Sequence, residues 1–159
     1  MVIGDIESLA FEFLRRSETT GEVYLIVRGK RIGMDCWDYE LSSLKRAFYY
    51  ECGDVDRRRY PGLVGFSSRD MAKLLYCVMD EYSDERCEEF KKLNIVDEDI
   101  DKIFFYSIPY LFDGWGVGLV QGDEVENFFV FDEDKEVYLD VKLKAGGFYS
   151  LVMSLTQLF

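Results

Sequence analysis

The stretch Gly116–Lys144, GVGLVQGDEVENFFVFDEDKEVYLDVKLK, contains three runs rich in β-branched and aromatic residues, separated by two polar turns. The turns fall at Gln121–Glu124 and Asp132–Asp134, and their residue types are typical of hairpin loops. Strands that are joined by such short turns pair with their neighbours in antiparallel fashion. The stretch therefore predicts an antiparallel meander.

Toward the N-terminus, the same signals predict a β-hairpin. Glu22–Arg28 is a β-branched and aromatic run, and the chain turns back on itself through Gly29–Gly33. Ser8–Leu14 is predicted to be another strand. A further strand is predicted just before the meander, in the run IFFYSIP from Ile103 to Pro109.

Helical periodicity marks the central part of the chain and its C-terminal end. The predicted helices are residues 40–51, residues 69–82 with a cap at Ser67 or Ser68, residues 84–93 with a cap at Ser83, and residues 146–159. Helices and strands come in blocks and do not alternate strictly, which favours an α+β fold with a mostly antiparallel sheet. No linker or repeat divides the 159 residues, so we expect one domain over 1–159.

Charge is distributed unevenly along the chain. Residues 1–79 carry 12 acids and 12 bases, whereas residues 80–140 carry 19 acids and 5 bases, a net charge of −14. A segment of this sign repels nucleic-acid phosphates and anionic membranes, and it suits a cationic protein partner. Acids that only keep the protein soluble are the alternative reading.

Motifs for catalysis and cofactor binding are weak. Histidine is absent, so the commonest proton shuttle is missing and we predict no catalytic residue and no cofactor. The glycines from Gly114 to Gly122 lack the spacing of a nucleotide loop and indicate a bulge or a close backbone approach beside Trp115. The acidic runs Asp97–Asp101 and Asp132–Asp134 do not match a calcium loop, and the bases Arg57–Arg59 follow two acids and indicate a solvated loop.

The four cysteines and the hydropathy pattern bear on the compartment. No pair of cysteines has metal-finger spacing, and we expect reduced, mostly buried thiols, with a disulfide as the less favoured alternative. No apolar run reaches the length of a membrane helix, and acids at Asp5 and Glu7 interrupt the N-terminal region. We therefore expect a cytoplasmic protein.

Several short motifs carry a family resemblance. They are MVIGD at the start, LAFEF at Leu9–Phe13, FDGW at Phe112–Trp115, the QGDE turn and the closing GGFYSLV. With these motifs the chain resembles bacterial immunity proteins that are encoded beside polymorphic toxins, including toxins of contact-dependent growth inhibition systems. The match thins between about Glu51 and Lys102.

The resemblance implies a non-catalytic inhibitor that binds one cognate toxin. Many such toxins are nucleases with basic surfaces, which an acidic inhibitor can reach by electrostatically steered association. The motif residues Gly4, Asp5, Gly114 and Trp115 would maintain the fold, while residues 80–101 would carry partner-specific side chains. A small enzyme or ligand-binding domain that uses a carboxylate pair, and an acidic regulator that mimics nucleic acid, remain alternative functions.

The predicted toxin-facing surface combines the acidic charge with apolar anchors. Anchors such as Trp37, Trp115 and some of the 11 tyrosines would be framed by carboxylates. The acids predicted to face the toxin are Asp84, Glu85, Glu88, Glu89, Asp97, Glu98, Asp99, Asp101, Asp132 and Asp134.

Overall fold

The computed structural model describes residues 1–33, 38–79, 85–106, 112 and 114–159, without the side chains of Val55, Glu85 and Arg86. Its N-terminal half forms a five-stranded antiparallel sheet. The strands are β1 (Val2–Gly4), β2 (Leu9–Arg15), β3 (Thr20–Val27), β4 (Lys30–Ile32) and β5 (Tyr39–Glu40). The order is β1-β2-β3-β4, and β5 pairs with the start of β3. The predicted hairpin is confirmed, whereas β1 and β5 are too short to show a sequence period.

The C-terminal sheet is the predicted meander. It consists of β6 (Gly116–Gln121), β7 (Val125–Asp132) and β8 (Val137–Lys144), in the order β6-β7-β8. The central strand β7 is buried on both faces, with Phe128 and Val130 in one hydrophobic cluster and Phe129 and Phe131 in another. This sheet therefore separates the two cores of the molecule.

In the described part of the chain, five α-helices cover the sheets. They are α1 (Leu41–Cys52), α2 (Ser68–Val78), α3 (Glu85–Lys91), α4 (Asp97–Ile103) and α5 (Gly147–Thr156). Helices α1 and α5 share one core with the inner faces of both sheets, while α2, α3 and α4 contribute to the core on the other face of the C-terminal sheet. Ser67 caps α2 in a reciprocal capping box with Asp70, and Ser83 lies outside the described residues. The prediction of an α+β fold is confirmed.

One predicted strand is wrong in its first part. Ile103 ends helix α4, and Phe104 makes an isolated bridge with Gly118. The helix forms because its first turn places three acids near its positive end, while Ile100 and Ile103 bury one stripe. Residues 107–109 of the predicted strand lie outside the described part.

The strand glycines lie beneath aromatic rings. Gly116 pairs with Phe131 and Gly118 with Phe129, and a Cβ added at either glycine would lie 2.2 Å or 2.4 Å from the ring of its partner. The close approach predicted from these glycines is confirmed, and the rings that require it belong to β7, not to Trp115.

Two of the cysteines are bonded, which corrects the expectation of reduced thiols. Cys77 in α2 and Cys87 in α3 form a disulfide with a Cα–Cα distance of 5.3 Å, because the two helices pack together. Cys52 is a buried free thiol as expected, and burial raises its pKa to about 12. Cys36 lies outside the described residues.

Candidate functional site

Most of the predicted toxin-facing acids in the described chain are exposed. The exposed members are Glu88, Glu89, Asp97, Glu98, Asp101 and Asp134. Glu88 forms an ion pair with Lys91 at 2.6 Å, and this contact lowers the pKa of its carboxyl group. Asp84 lies outside the described residues, and Glu85 is described only as the start of α3.

Two predicted acids are engaged inside the molecule. Asp99 accepts hydrogen bonds from the Tyr60 hydroxyl at 2.7 Å, the Val96 N–H at 3.2 Å and the Lys102 amine at 3.4 Å. Partial burial alone would raise the pKa of Asp99, but these bonds outweigh it and hold the pKa below its usual value. Asp132 is only 3% exposed, and its bonds with Lys135 lower its pKa.

Two concave surfaces flank the start of α4, and Asp97 lines both of them. The first, which we call the helical groove, has a volume of about 500 Å³ and runs between α2, α3 and α4. Its walls include Val78, Phe90, Ile95 and Val96. The second has a volume of about 490 Å³. Its lining residues are Met79, Asp97, Ile100, Asp101 and Tyr106.

Large apolar side chains remain exposed around these concavities. Val96 is 55% exposed, and Met79 and Tyr106 are each 54% exposed. Partial burial raises the pKa of Tyr106, and the charge of Asp101, which lines the same concavity, adds to the effect. Sequence analysis did not single out Val96 or Met79 as exposed apolar side chains. The available signal was an apolar residue directly before a run of acids.

One of the two tryptophans predicted as apolar anchors, Trp115, lies in the described part of the chain. Trp115 is half-buried against the main core, and the amines of Lys135 and Lys30 lie 5.2 Å and 5.8 Å from its ring centroid. Trp37 lies outside the described residues. The exposed tyrosines among the described residues are Tyr49, Tyr50, Tyr106 and Tyr149.

The core shared by the two sheets, α1 and α5 contains buried charges with close partners. Arg58 is 3% exposed, forms an ion pair with the buried Glu51 and lies 4.4 Å above the Phe105 ring. Burial lowers the pKa of Arg58, and the Glu51 carboxylate opposes that shift. The prediction that Arg57–Arg59 is a solvated loop is therefore wrong for Arg58. Local polarity cannot reveal that one of three adjacent arginines turns inward.

Glu126 is a second buried charge that sequence analysis did not single out. Its carboxylate accepts the N–H groups of Gly146 at 2.6 Å and Phe148 at 3.0 Å, at the start of α5. The side chain of Gln121 donates to it at 2.9 Å. A carboxylate here satisfies donors that a helix leaves unpaired and lies at the positive end of the helix dipole.

Three of the motif residues behind the family resemblance, Gly4, Asp5 and Gly114, lie in or beside turns. Gly4 has a φ of +102°, and a Cβ there would lie 2.5 Å from the Leu9 carbonyl oxygen. Asp5 accepts the Glu7 N–H at 3.0 Å in the same turn. Gly114 also has positive φ, at +74°. Glycines with positive φ and a side-chain acceptor such as Asp5 shape backbone turns, as expected for residues that maintain a fold.

Metal-binding clusters and membrane-spanning helices are two further features that bear on function. Among the residues that the structure describes, no group of three or more His, Cys, Asp or Glu side chains is arranged to hold a metal ion. No helix in the same part of the chain combines the length and the apolar character needed to cross a bilayer.

This α+β architecture, with a five-stranded and a three-stranded antiparallel sheet, occurs among proteins of known structure. The crystal structure of CdiI from Burkholderia dolosa AUO158 is similar to this chain, with a TM-score of 0.70 and 17% sequence identity. The similarity covers 100% of both chains. At this identity the likeness shows a shared fold. Comparisons with protein-family models and with curated proteins find no match.

Proposed function

We propose that this protein is an immunity protein that binds and neutralises a cognate toxin of a contact-dependent growth inhibition system. The observation that carries the proposal is the full-length structural likeness to CdiI, an immunity protein of such a system. The short motifs that resemble immunity proteins support it independently, because they include the turn residues Gly4, Asp5 and Gly114. The protein acts as one domain, by binding and not by catalysis.

The acidic surface of α3 and α4 faces the toxin in this proposal. Asp97, Glu98 and Asp101 are exposed around α4, and Glu88 and Glu89 are exposed on α3. Charges of one sign near a docking surface accelerate encounter with an oppositely charged partner. The toxin is therefore a cationic domain, of the nuclease type that presents a basic surface to nucleic acid.

A survival assay tests the proposed function. The toxin domain encoded beside this protein is expressed in a susceptible strain, with and without the protein. We expect survival only with the protein, and a purified complex with nanomolar or tighter affinity. Loss of viability in both strains, or an absence of binding between the purified partners, would overturn the proposal.

Charge neutralisation tests the location of the surface. The variant Asp97→Asn/Glu98→Gln/Asp101→Asn should slow association about tenfold at low salt and flatten its salt dependence. Glu7→Gln/Glu18→Gln/Asp38→Asn removes the same charge near the N-terminal sheet and should have a smaller effect. Surface plasmon resonance at two ionic strengths compares the variants. Equal association rates would place the toxin elsewhere.

The compartment follows from the proposed function, since an immunity protein must meet a toxin that acts inside the cell. We therefore place this protein in the cytoplasm. The Cys77–Cys87 bond is unusual for a reducing compartment. Alkylation of thiols in intact cells, followed by mass spectrometry, measures whether these two cysteines are bonded there.

A further inference from the structure

Val96 occupies a position where another residue type would stabilise the fold. It is the N-cap residue of α4, and its side chain makes no capping hydrogen bond. Ser, Thr, Asp or Asn at an N-cap accepts a backbone N–H, and replacing such a residue with an aliphatic one costs about 1 kcal/mol. Val96 is also 55% exposed, so its side chain gains little from burial. An exposed residue that breaks a local rule in this way is typical of a functional site.

The surroundings of Val96 are apolar at the centre and acidic at the edge. Val96 lines the helical groove together with Val78, Phe90 and Ile95. Met79 and Tyr106 extend the apolar surface across Asp97 into the second concavity. Asp97 and Glu98 border the groove, and Lys91 on the opposite wall is paired with Glu88 at 2.6 Å. The arrangement matches an apolar binding centre with a charged rim.

The negative charge around the helical groove determines which kind of partner can bind in it. Binding of an apolar side chain removes water from the neighbouring carboxylates, which is costly unless the partner supplies positive charge. A nucleic acid or an anionic membrane would bring like charge to Asp97, Glu98 and Asp101. The occupant that fits both features is a protein segment with a bulky apolar residue flanked by lysine or arginine.

We propose that the helical groove receives an aromatic or long aliphatic side chain of the toxin, with Val96 at the apolar centre of the interface and with Met79 and Tyr106 extending that centre into the second concavity. The inference rests on the proposed immunity function and assigns the contacts that carry its affinity. A few central apolar contacts dominate the binding energy of most protein interfaces, while rim charges set the association rate. Val96 then serves binding at the expense of the α4 cap.

The substitution Val96→Asp separates the apolar contribution from the electrostatic one. It supplies an N-cap acceptor and one more negative charge, so both fold stability and attraction to a cationic toxin should increase. If the groove receives an apolar side chain, Val96→Asp should nevertheless raise Kd at least tenfold, mainly through faster dissociation. Thermal unfolding and surface plasmon resonance with the neighbouring toxin domain measure the two effects.

A matched control and a second variant complete the test. Val2→Asp changes an exposed valine of β1 in the same way and should leave Kd within about twofold. Met79→Gln should weaken binding without a change in charge. Wild-type or tighter affinity for Val96→Asp would overturn this inference alone if the unmodified protein binds and protects. Failure of the unmodified protein to bind would overturn the proposed function, and this inference with it.

Discussion

On one face of the C-terminal sheet, Phe128 and Val130 pack into a core that also contains residues of the N-terminal sheet, α1 and α5. On the other face, Phe129 and Phe131 pack beneath the layer formed by α2, α3 and α4. The first side buries the charged groups Glu51 and Arg58 with close partners. The second side leaves apolar side chains such as Val96 exposed along a groove.

The two sides meet different requirements, which are stable folding on the first side and, in the proposed function, toxin binding on the second. The first side is organised for stable folding, since Glu51 and Arg58 are paired and its aromatic rings pack against one another, as for Phe128 and Phe148 with centroids 5.1 Å apart. The helical layer departs from local rules at Val96, where a capping residue would be favoured. Mutations on the two sides should therefore affect different measurable quantities.

The largest expected effect is on the first side, at the buried ion pair. Glu51→Gln leaves Arg58 buried without its carboxylate partner and should lower the free energy of unfolding by about 3–5 kcal/mol. Asp123→Asn breaks the exposed pair between Arg59 and Asp123, which are 2.6 Å apart, and should cost less than about 1 kcal/mol. Urea denaturation of both variants makes the comparison. Similar losses would show that burial does not set the strength of these pairs.

A smaller effect is expected at the start of α5. Glu126→Ala removes the acceptor of the Gly146 and Phe148 N–H groups and should cost about 2–3 kcal/mol. Glu124→Ala, at an exposed position two residues away, serves as the control and should cost less than about 0.5 kcal/mol. Hydrogen exchange should accelerate in α5 of Glu126→Ala, while the folded protein keeps its toxin affinity. A loss of affinity in stable protein would remove the separation of the two sides.

Periodicity predicted most of the fold, because long amphipathic or alternating segments encode their own environment. The meander and helices α1, α2 and α5 followed from it. Helix α4 did not, because only Ile100 and Ile103 mark its buried face and the aromatic residues after it extend the apolar run like a strand. The Cys77–Cys87 bond was also missed, since it depends on how two helices pack.

The candidate site was predicted in its charge but not in its shape. The count of acids between residues 80 and 140 included Glu126 and Asp132, which the fold buries. A linear pattern cannot show which carboxylates turn inward, and it cannot show a groove built from three helices. The lack of a capping side chain at Val96 can be recognised only once α4 is known to be a helix and its first residue is known.

The smallest expected effect concerns Asp99, which lies in α4 of the helical layer but stabilises the fold. Tyr60→Phe removes the hydroxyl that donates to Asp99 at 2.7 Å and should cost about 1 kcal/mol at pH 7. The pKa of Asp99 lies below its unfolded value of about 3.9, so this contribution is present above that pH and is lost as the pH falls through the folded pKa. The variant should raise the pKa of Asp99, and its stability should converge with that of the wild type in strong acid.

NMR titration of the carboxyl group and urea denaturation at pH 7 and about pH 2 measure both effects, with the exposed Tyr50→Phe as control. Because Tyr60 lies away from the groove lining, the association rate with the toxin should not change. A stability loss that is the same at both pH values would mean that Tyr60 contributes packing and not a bond to the ionised Asp99.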